Sequence, residues 1–179
     1  RQIFRGLQIQ LWKNFERYPR ELLPWNVGST QVDAVITWEN PPTTVFVEMK
    51  YLSEPSTQVA GGMAQSEFPT DQIVRNIRVG LLECGWFAED ALFDVPRRDF
   101  MMIMISPTGQ HSLIEKYHDE ETVRNSIPNS HRLVGMPKRP FVGGVGYEAI
   151  GRIVDRNWKW FGRAESLLSQ LIAEYLEFK

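Results

Sequence analysis

The chain has 179 residues, 42% of them hydrophobic, with a formal net charge of −2. That length and apolar content suit a single globular domain with its own core; the expected α/β core is about residues 1–106, followed by a C-terminal extension, about 107–179. No run of about 18 apolar residues occurs, so a membrane-spanning helix is excluded. One cysteine, Cys84, excludes an intrachain disulfide and a cysteine-rich zinc site. No secretory signal is evident, and the expected compartment is the cytoplasm.

In chain order, residues 3–18 place Phe4, Leu7, Leu11, Trp12 and Phe15 at helical spacing and predict a helix packed on a sheet. Two runs dense in β-branched and aromatic residues follow, 31–38 and 43–51. The turn signal Glu39-Asn40-Pro41-Pro42-Thr43 joins them into an antiparallel hairpin. Side-chain alternation puts Glu48 and Lys50 on one side of the second strand. Val45, Val47, Met49 and Tyr51 take the other side, toward an expected core. Segment 53–69, with Gly61-Gly62, reads as a substrate-contacting loop. Thr70 is the expected N-cap of a helix whose buried stripe is Ile73, Ile77, Leu81 and Cys84, with Asp71 in its first turn. Gln72 and Arg75 share a neighbouring face of it. Residues 100–105 predict a buried central strand, and 112–123 a polar helix. Residues 141–153 read as extended and glycine-rich. Residues 164–178 predict an amphipathic helix through Leu167, Leu168, Leu171, Ile172 and Tyr175.

The chemistry concentrates on the hairpin. Asp33 is the one charge on its first strand, and Glu48 follows fifteen positions later with Lys50 two beyond it. A charge inside an apolar strand costs free energy unless it is paired or ligated. Two carboxylates and an ammonium gathered at one end of a sheet can hold a divalent ion beside a phosphodiester. The same loose spacing recurs as Asp155 with Glu177-Phe178-Lys179, but on a helix expected to be solvated, so only the first match has a strand–turn–strand setting. The plain alternatives are a surface ion pair for Glu48 and Lys50, and solvated helix positions for Gln72 and Arg75.

These residues resemble the PD-(D/E)xK nuclease superfamily, with its restriction-endonuclease-like fold. Asp33 stands for the family's first acidic residue and Glu48-Met49-Lys50 for its (D/E)-x-K, while Val32 occupies the place where the family prefers Pro. The resemblance runs from the first helix to about residue 105. It implies a mixed central β-sheet flanked by helices, and a metal-dependent DNA phosphodiester hydrolase of the restriction, defence or repair type. Asp33, Glu48 and the Met49 carbonyl would then hold Mg²⁺, with Mn²⁺ able to substitute, and Lys50 would orient a water and neutralise phosphate charge. The family's acidic residue before the sheet would be Glu16, or else Glu21 beyond Pro19. Gln72 and Arg75 would approach the scissile phosphate. A homodimer would let two such sites cut both strands. The alternative is a catalytically idle, nuclease-like module that binds nucleic acid or serves a larger protein structurally.

Charge is unevenly spread. Segment 1–30 carries +3, 31–123 carries −9, 124–163 carries +6 and the tail −2. The basic stretch contains Arg132, Lys138, Arg139, Arg152, Arg156, Lys159 and Arg163, interleaved with Phe141, Tyr147, Trp158, Trp160 and Phe161. Such a mixture suits a phosphate backbone and exposed bases, or equally a basic surface over a Trp-anchored core. Arg75, Arg156, Lys159 and Arg163 are the candidate DNA contacts. His111, His118 and His131 lack ligand spacing. Neither a Gly-x-Ser-x-Gly nor a Gly-Lys-Ser/Thr motif occurs.

Overall fold

The two β-branched runs pair as a hairpin. Strands β2 (Thr30–Glu39) and β3 (Pro42–Met49) run antiparallel about Asn40-Pro41, whose peptide bond is cis. The computed structural model describes residues 4–15, 30–51, 68–69, 71–88 and 95–157. Glu16, Glu21, Thr70, Lys159 and Arg163 lie outside them, as do nearly all of the expected loop at 53–69 and the whole helix at 164–178. Strand β1 (Gln8–Phe15) pairs antiparallel with β2, while β4 (Asp99–Ser106) and β5 (Gly143–Gly146) add in parallel beyond β3. The result is a five-stranded mixed sheet in the order β1-β2-β3-β4-β5. Helix α1 (Gln72–Glu83) lies between β3 and β4 in the chain. Helices α2 (Ser112–Lys116) and α3 (Glu120–Asn125) lie between β4 and β5, and α4 (Tyr147–Asn157) follows β5 directly. The chain is of the α/β class, and none of the described helices is long and apolar enough to cross a membrane.

Both faces of the sheet are apolar, but unequally covered. Phe46, Phe100, Met102 and Met104 pack with Ile73, Ile77 and Leu81 of α1 and with Leu113, Val123 and Ile127 in the larger core. Ala34, Val45 and Val47 form a smaller cluster on the opposite face. Val45 and Val47 are therefore buried as expected, whereas Met49 and Tyr51, each 45% exposed, are not core residues. They stand at the end of β3, past the covered part of the sheet. The expected α1 stripe of Ile73, Ile77, Leu81 and Cys84 is fully buried, and the helix buries Asn76 and Arg78 as well. Asp71, not Thr70, caps this helix, its carboxylate accepting the Val74 N–H.

Three further expectations change. Of the helix expected over residues 3–18, the described residues 4–15 are not helical, because the outer edge of β2 presents unpaired backbone groups that Gln8–Phe15 satisfies as a strand. Of the supposed helical stripe only Phe15 is buried, and Phe4, Leu7, Leu11 and Trp12 are exposed. The polar helix at 112–123 is two helices, since Asp119 accepts the Thr122 N–H and starts a second one. Extended backbone near residue 141–153 ends at Gly146, where α4 begins. The β5 glycines serve close packing: a Cβ on Gly144 would come within 2.3 Å of the Gly109 carbonyl oxygen and 2.2 Å of the Ile114 side chain.

Alternation also breaks once within the β1–β2 pair. The ladder passes from Leu11 opposite Ala34 to Lys13 opposite Val32, skipping Trp12 and Asp33, and Trp12 has φ of 48°. A bulky side chain in the left-handed region is a backbone outlier. On one side of this step Ala34 joins the smaller cluster. On the other, Phe15 and Val32 join the larger core. The break falls at the one charged residue of the β2 interior.

Gly80 sets how closely α1 approaches the sheet. A Cβ there would lie 2.0 Å from the Phe100 ring. Gly80→Ala is therefore expected to cost about 1–3 kcal/mol of stability through overpacking, read as a lower urea midpoint. An unchanged midpoint would contradict this seating of the helix.

Candidate active site

The hairpin register brings the two carboxylates together. Ala34 with Val47 is the last pair of the β2–β3 ladder, and Asp33 and Glu48 are the next residues on the two strands. The regular ladder stops here, and Asp33 Oδ2 accepts the Met49 N–H at 2.7 Å. On the other side the Lys50 N–H donates to the Ile105 carbonyl of β4 at 2.7 Å. Glu48-Met49-Lys50 is thus tied to both neighbouring strands.

Glu48 is 1% exposed on the helix-facing side of the sheet. Its Oε1 lies 2.8 Å from Lys50 Nζ, and its Oε2 accepts from Asn76 Nδ2 at 3.1 Å. Asn76 Oδ1 in turn accepts the Thr30 hydroxyl at 2.6 Å, and Lys50 Nζ donates to Gln72 Oε1 at 2.6 Å. Gln72, Asn76 and Gly80 follow one another four residues apart, so they form one ridge of α1. The absent side chain of Gly80 lets that ridge come down on the sheet, and the amides ahead of it then reach the charges. Burial pushes the Glu48 carboxyl above its ordinary range. The Lys50 ammonium opposes that shift by hydrogen bond and by charge, the Asp33 carboxylate adds to it, and the Asn76 amide opposes it weakly.

Of the residues expected at the site, Asp33, Glu48, Lys50 and Gln72 come together here, and Met49 contributes its backbone. Arg75 is half-buried beside them. Desolvation lowers its pKa, against the attraction of Asp71 and Glu48, and its Nε has no hydrogen-bond partner among the described residues. Arg156 is exposed on α4. Glu16, Lys159 and Arg163 are not described.

Sequence reasoning missed four participants. Asn76 was legible as a polar residue four after Gln72 within an apolar helix, and Thr30 only through it. Ser106 ends β4 on the same face as Met104, one step beyond the Met49–Ile105 pair and so next to Lys50. It is buried, and its Oγ has no hydrogen-bond partner among the described residues. Tyr147, at the start of α4, donates its hydroxyl to the Lys50 carbonyl at 3.3 Å.

A second polar network anchors the N-terminal end of α1. Asp71 Oδ2 accepts from the Tyr117 hydroxyl and, at 3.1 Å, from Lys116 Nζ. Burial, followed by this hydrogen bond, drives the Tyr117 pKa far upward. The buried Arg78 guanidinium donates to the Ser126 and Pro69 carbonyls, and burial lowers its pKa to about 10. These contacts fix the end of the helix from which Gln72 and Asn76 project.

No group of three His, Cys, Asp or Glu side chains placed to hold an ion occurs among the described residues. A cation at this site would therefore rest on Asp33, Glu48 and backbone oxygen. No protein-family model, curated protein or solved structure matches the chain.

The Glu48 shift has a measurable sign. In the folded chain this carboxyl keeps its proton above the ordinary value of 4.5, so the native state binds more protons than the unfolded state just above that pH. Its contribution to stability is then greatest below the ordinary range and falls as pH rises through the folded pKa. In EDTA, wild type is expected to lose stability relative to Glu48→Gln as pH is raised from 4.5 toward neutral, followed by urea denaturation. Parallel pH profiles would contradict it.

Proposed function

We propose that the protein is a metal-dependent DNA phosphodiester hydrolase of endonuclease type, built on a restriction-endonuclease-like fold. The observation that carries this reading is that Asp33 accepts the Met49 N–H at 2.7 Å, beside the buried Glu48, whose carboxylate lies 2.8 Å from the Lys50 ammonium. The order of elements supports it: a hairpin bearing both carboxylates, then a helix contributing Gln72, then a strand parallel to β3.

The donor set fits a hard cation. Asp33 and Glu48 offer carboxylate oxygens, and each oxygen can accept from more than one direction even where a hydrogen bond is already made. With the Met49 carbonyl they would hold Mg²⁺, or Mn²⁺ in its place. Such an ion supplies Lewis acidity toward a phosphoryl oxygen and lowers the pKa of a bound water. The chain supplies the rest. Lys50 has three donors, of which Glu48 and Gln72 engage two, leaving one for a phosphate oxygen or an attacking water. Held at both sides, it is preorganised to stabilise charge that develops on the phosphorane-like oxygens. Arg75, half-buried alongside, adds positive potential, and the exposed Arg156 of α4 is a candidate contact to the DNA backbone.

One observation favours the idle-module reading instead: both Glu48 oxygens already have partners in Lys50 and Asn76. Under that reading, substitutions at Arg156 and Lys159 weaken DNA binding while Mg²⁺ alters nothing.

The deciding experiment incubates the purified chain with plasmid, linear and single-stranded DNA and Mg²⁺, against an EDTA control. Asp33→Asn is expected to lower cleavage by about 100-fold or more while its melting stays near wild type, because an amide oxygen can still accept the Met49 N–H. Lys50→Ala is expected to abolish cleavage too, but also to lower melting, since it leaves Glu48 buried without its counter-charge. Full activity in either folded variant would overturn the assignment.

A further inference from the structure

The outer edge of the sheet carries apolar surface to which the hydrolysis reading gives no role. Five of the ten exposed large hydrophobics among the described residues, Phe4, Leu7, Ile9, Leu11 and Trp12, fall within nine positions there. Strand β1 ends the strand order and pairs with β2 alone, so its other side has no strand partner among the described residues. Proteins commonly protect such an edge with charge. Here no charge occurs between Arg5 and Lys13, and Lys13 is turned back over its own Phe15 ring, 4.8 Å from the centroid. The stretch also has a symmetry of its own. Leu7-Gln8-Ile9-Gln10-Leu11 reads the same in both directions about Ile9. Three positions away on each side stands a residue in the left-handed region, Gly6 at φ 64° and Trp12 at φ 48°.

We propose that this edge is a self-association surface: two copies of the chain pair β1 with β1, antiparallel about Ile9, and join their sheets into one. The partner is a second copy because a two-fold contact needs a surface that is its own complement, and this run supplies one. Pairing about Ile9 sets Ile9 opposite Ile9 and Gln8 opposite Gln10, and brings Leu7 to Leu11. Ile9 and Leu11 lie opposite Ile36 and Ala34 of β2, so they share the face of the smaller apolar cluster. The pairing carries that face across the junction. Gln8 and Gln10 take the other face, where each side-chain amide both donates and accepts. Trp12, 63% exposed, comes level with Gly6 of the second copy, which has no side chain to obstruct it. A slip of one residue would set Gln8 against Leu11 and Ile9 against Gln10, so the alternation itself selects the register. No residue of the charged group takes part, and the inference is independent of the hydrolase reading.

Sedimentation velocity of the full chain over a range of concentrations, in EDTA and without DNA, tests the pairing. The expected result is a dimer that dissociates on dilution. Ile9→Lys sets like charges face to face across the two-fold axis, and it should sediment as a monomer wherever wild type is dimeric. Two double variants test the register at low salt. Gln8→Glu with Gln10→Lys faces each carboxylate with an ammonium and should keep the dimer. Gln8→Glu with Gln10→Glu opposes carboxylates twice and should associate about tenfold more weakly than the first. All three positions are exposed, and circular dichroism melting checks that each variant is folded. A wild-type chain that stays monomeric, an Ile9→Lys chain that dimerises like wild type, or equal association of the two double variants would each overturn the proposal. Cleavage of DNA with Mg²⁺, present or absent, bears on the hydrolase reading alone.

Discussion

A carboxylate buried at the end of β3 governs everything arranged around it. Glu48 has almost no contact with solvent, and an ionised carboxylate in that position is tolerable only with opposite charge and donors supplied from the protein. Lys50 and Asn76 meet that need, and each is positioned by something else: Lys50 by Gln72 and by the β4 backbone, Asn76 by Thr30. Asp33, held next to it by the bond to the Met49 N–H, makes the burden heavier rather than lighter. The Arg75 guanidinium, half-buried nearby and attracted by Glu48, adds to the positive charge that offsets the two carboxylates; under the proposed function a divalent cation would share Asp33 and Glu48.

Packing creates this charge arrangement. Gly80 removes the one side chain that would hold α1 off Phe100, so the amides of Gln72 and Asn76 arrive at the sheet. The Asp71–Tyr117 and Arg78–Ser126 contacts hold the start of that helix in place. The break at Trp12 and Asp33 marks where β1 and β2 exchange faces and where the β2–β3 ladder stops. Asp33 thereby presents its carboxylate to the Met49 N–H, doing for β3 what a backbone carbonyl would have done further along the strand.

The hairpin and its charges were legible because β-branched alternation is a local signal and one turn connects the two strands. Gln72 was legible from helical spacing. Residues 3–18 were not, since Phe4, Leu7, Leu11 and Phe15 fit a helical stripe equally well, and only the vacant edge of β2 decides for a strand. Met49 and Tyr51 follow the alternation of β3, yet alternation says nothing about where coverage of a sheet ends. Ser106 and Tyr147 reach Lys50 through parallel pairing with β4 and β5, contacts between segments some fifty and one hundred residues away in sequence. No local pattern carries that information. The one-sided polar ridge of Gln72, Asn76 and Gly80 did offer a signal, in an amide set among buried apolar residues.

Calorimetric titration of Mg²⁺ or Mn²⁺ into the metal-free chain at neutral pH, beside the Asp33→Asn variant, tests the central claim most directly. Saturable heat with wild type that disappears in Asp33→Asn is the expected result. Wild-type protein that takes up neither ion, or binds it identically after Asp33 is changed, would contradict the claim that Asp33 and Glu48 share a cation.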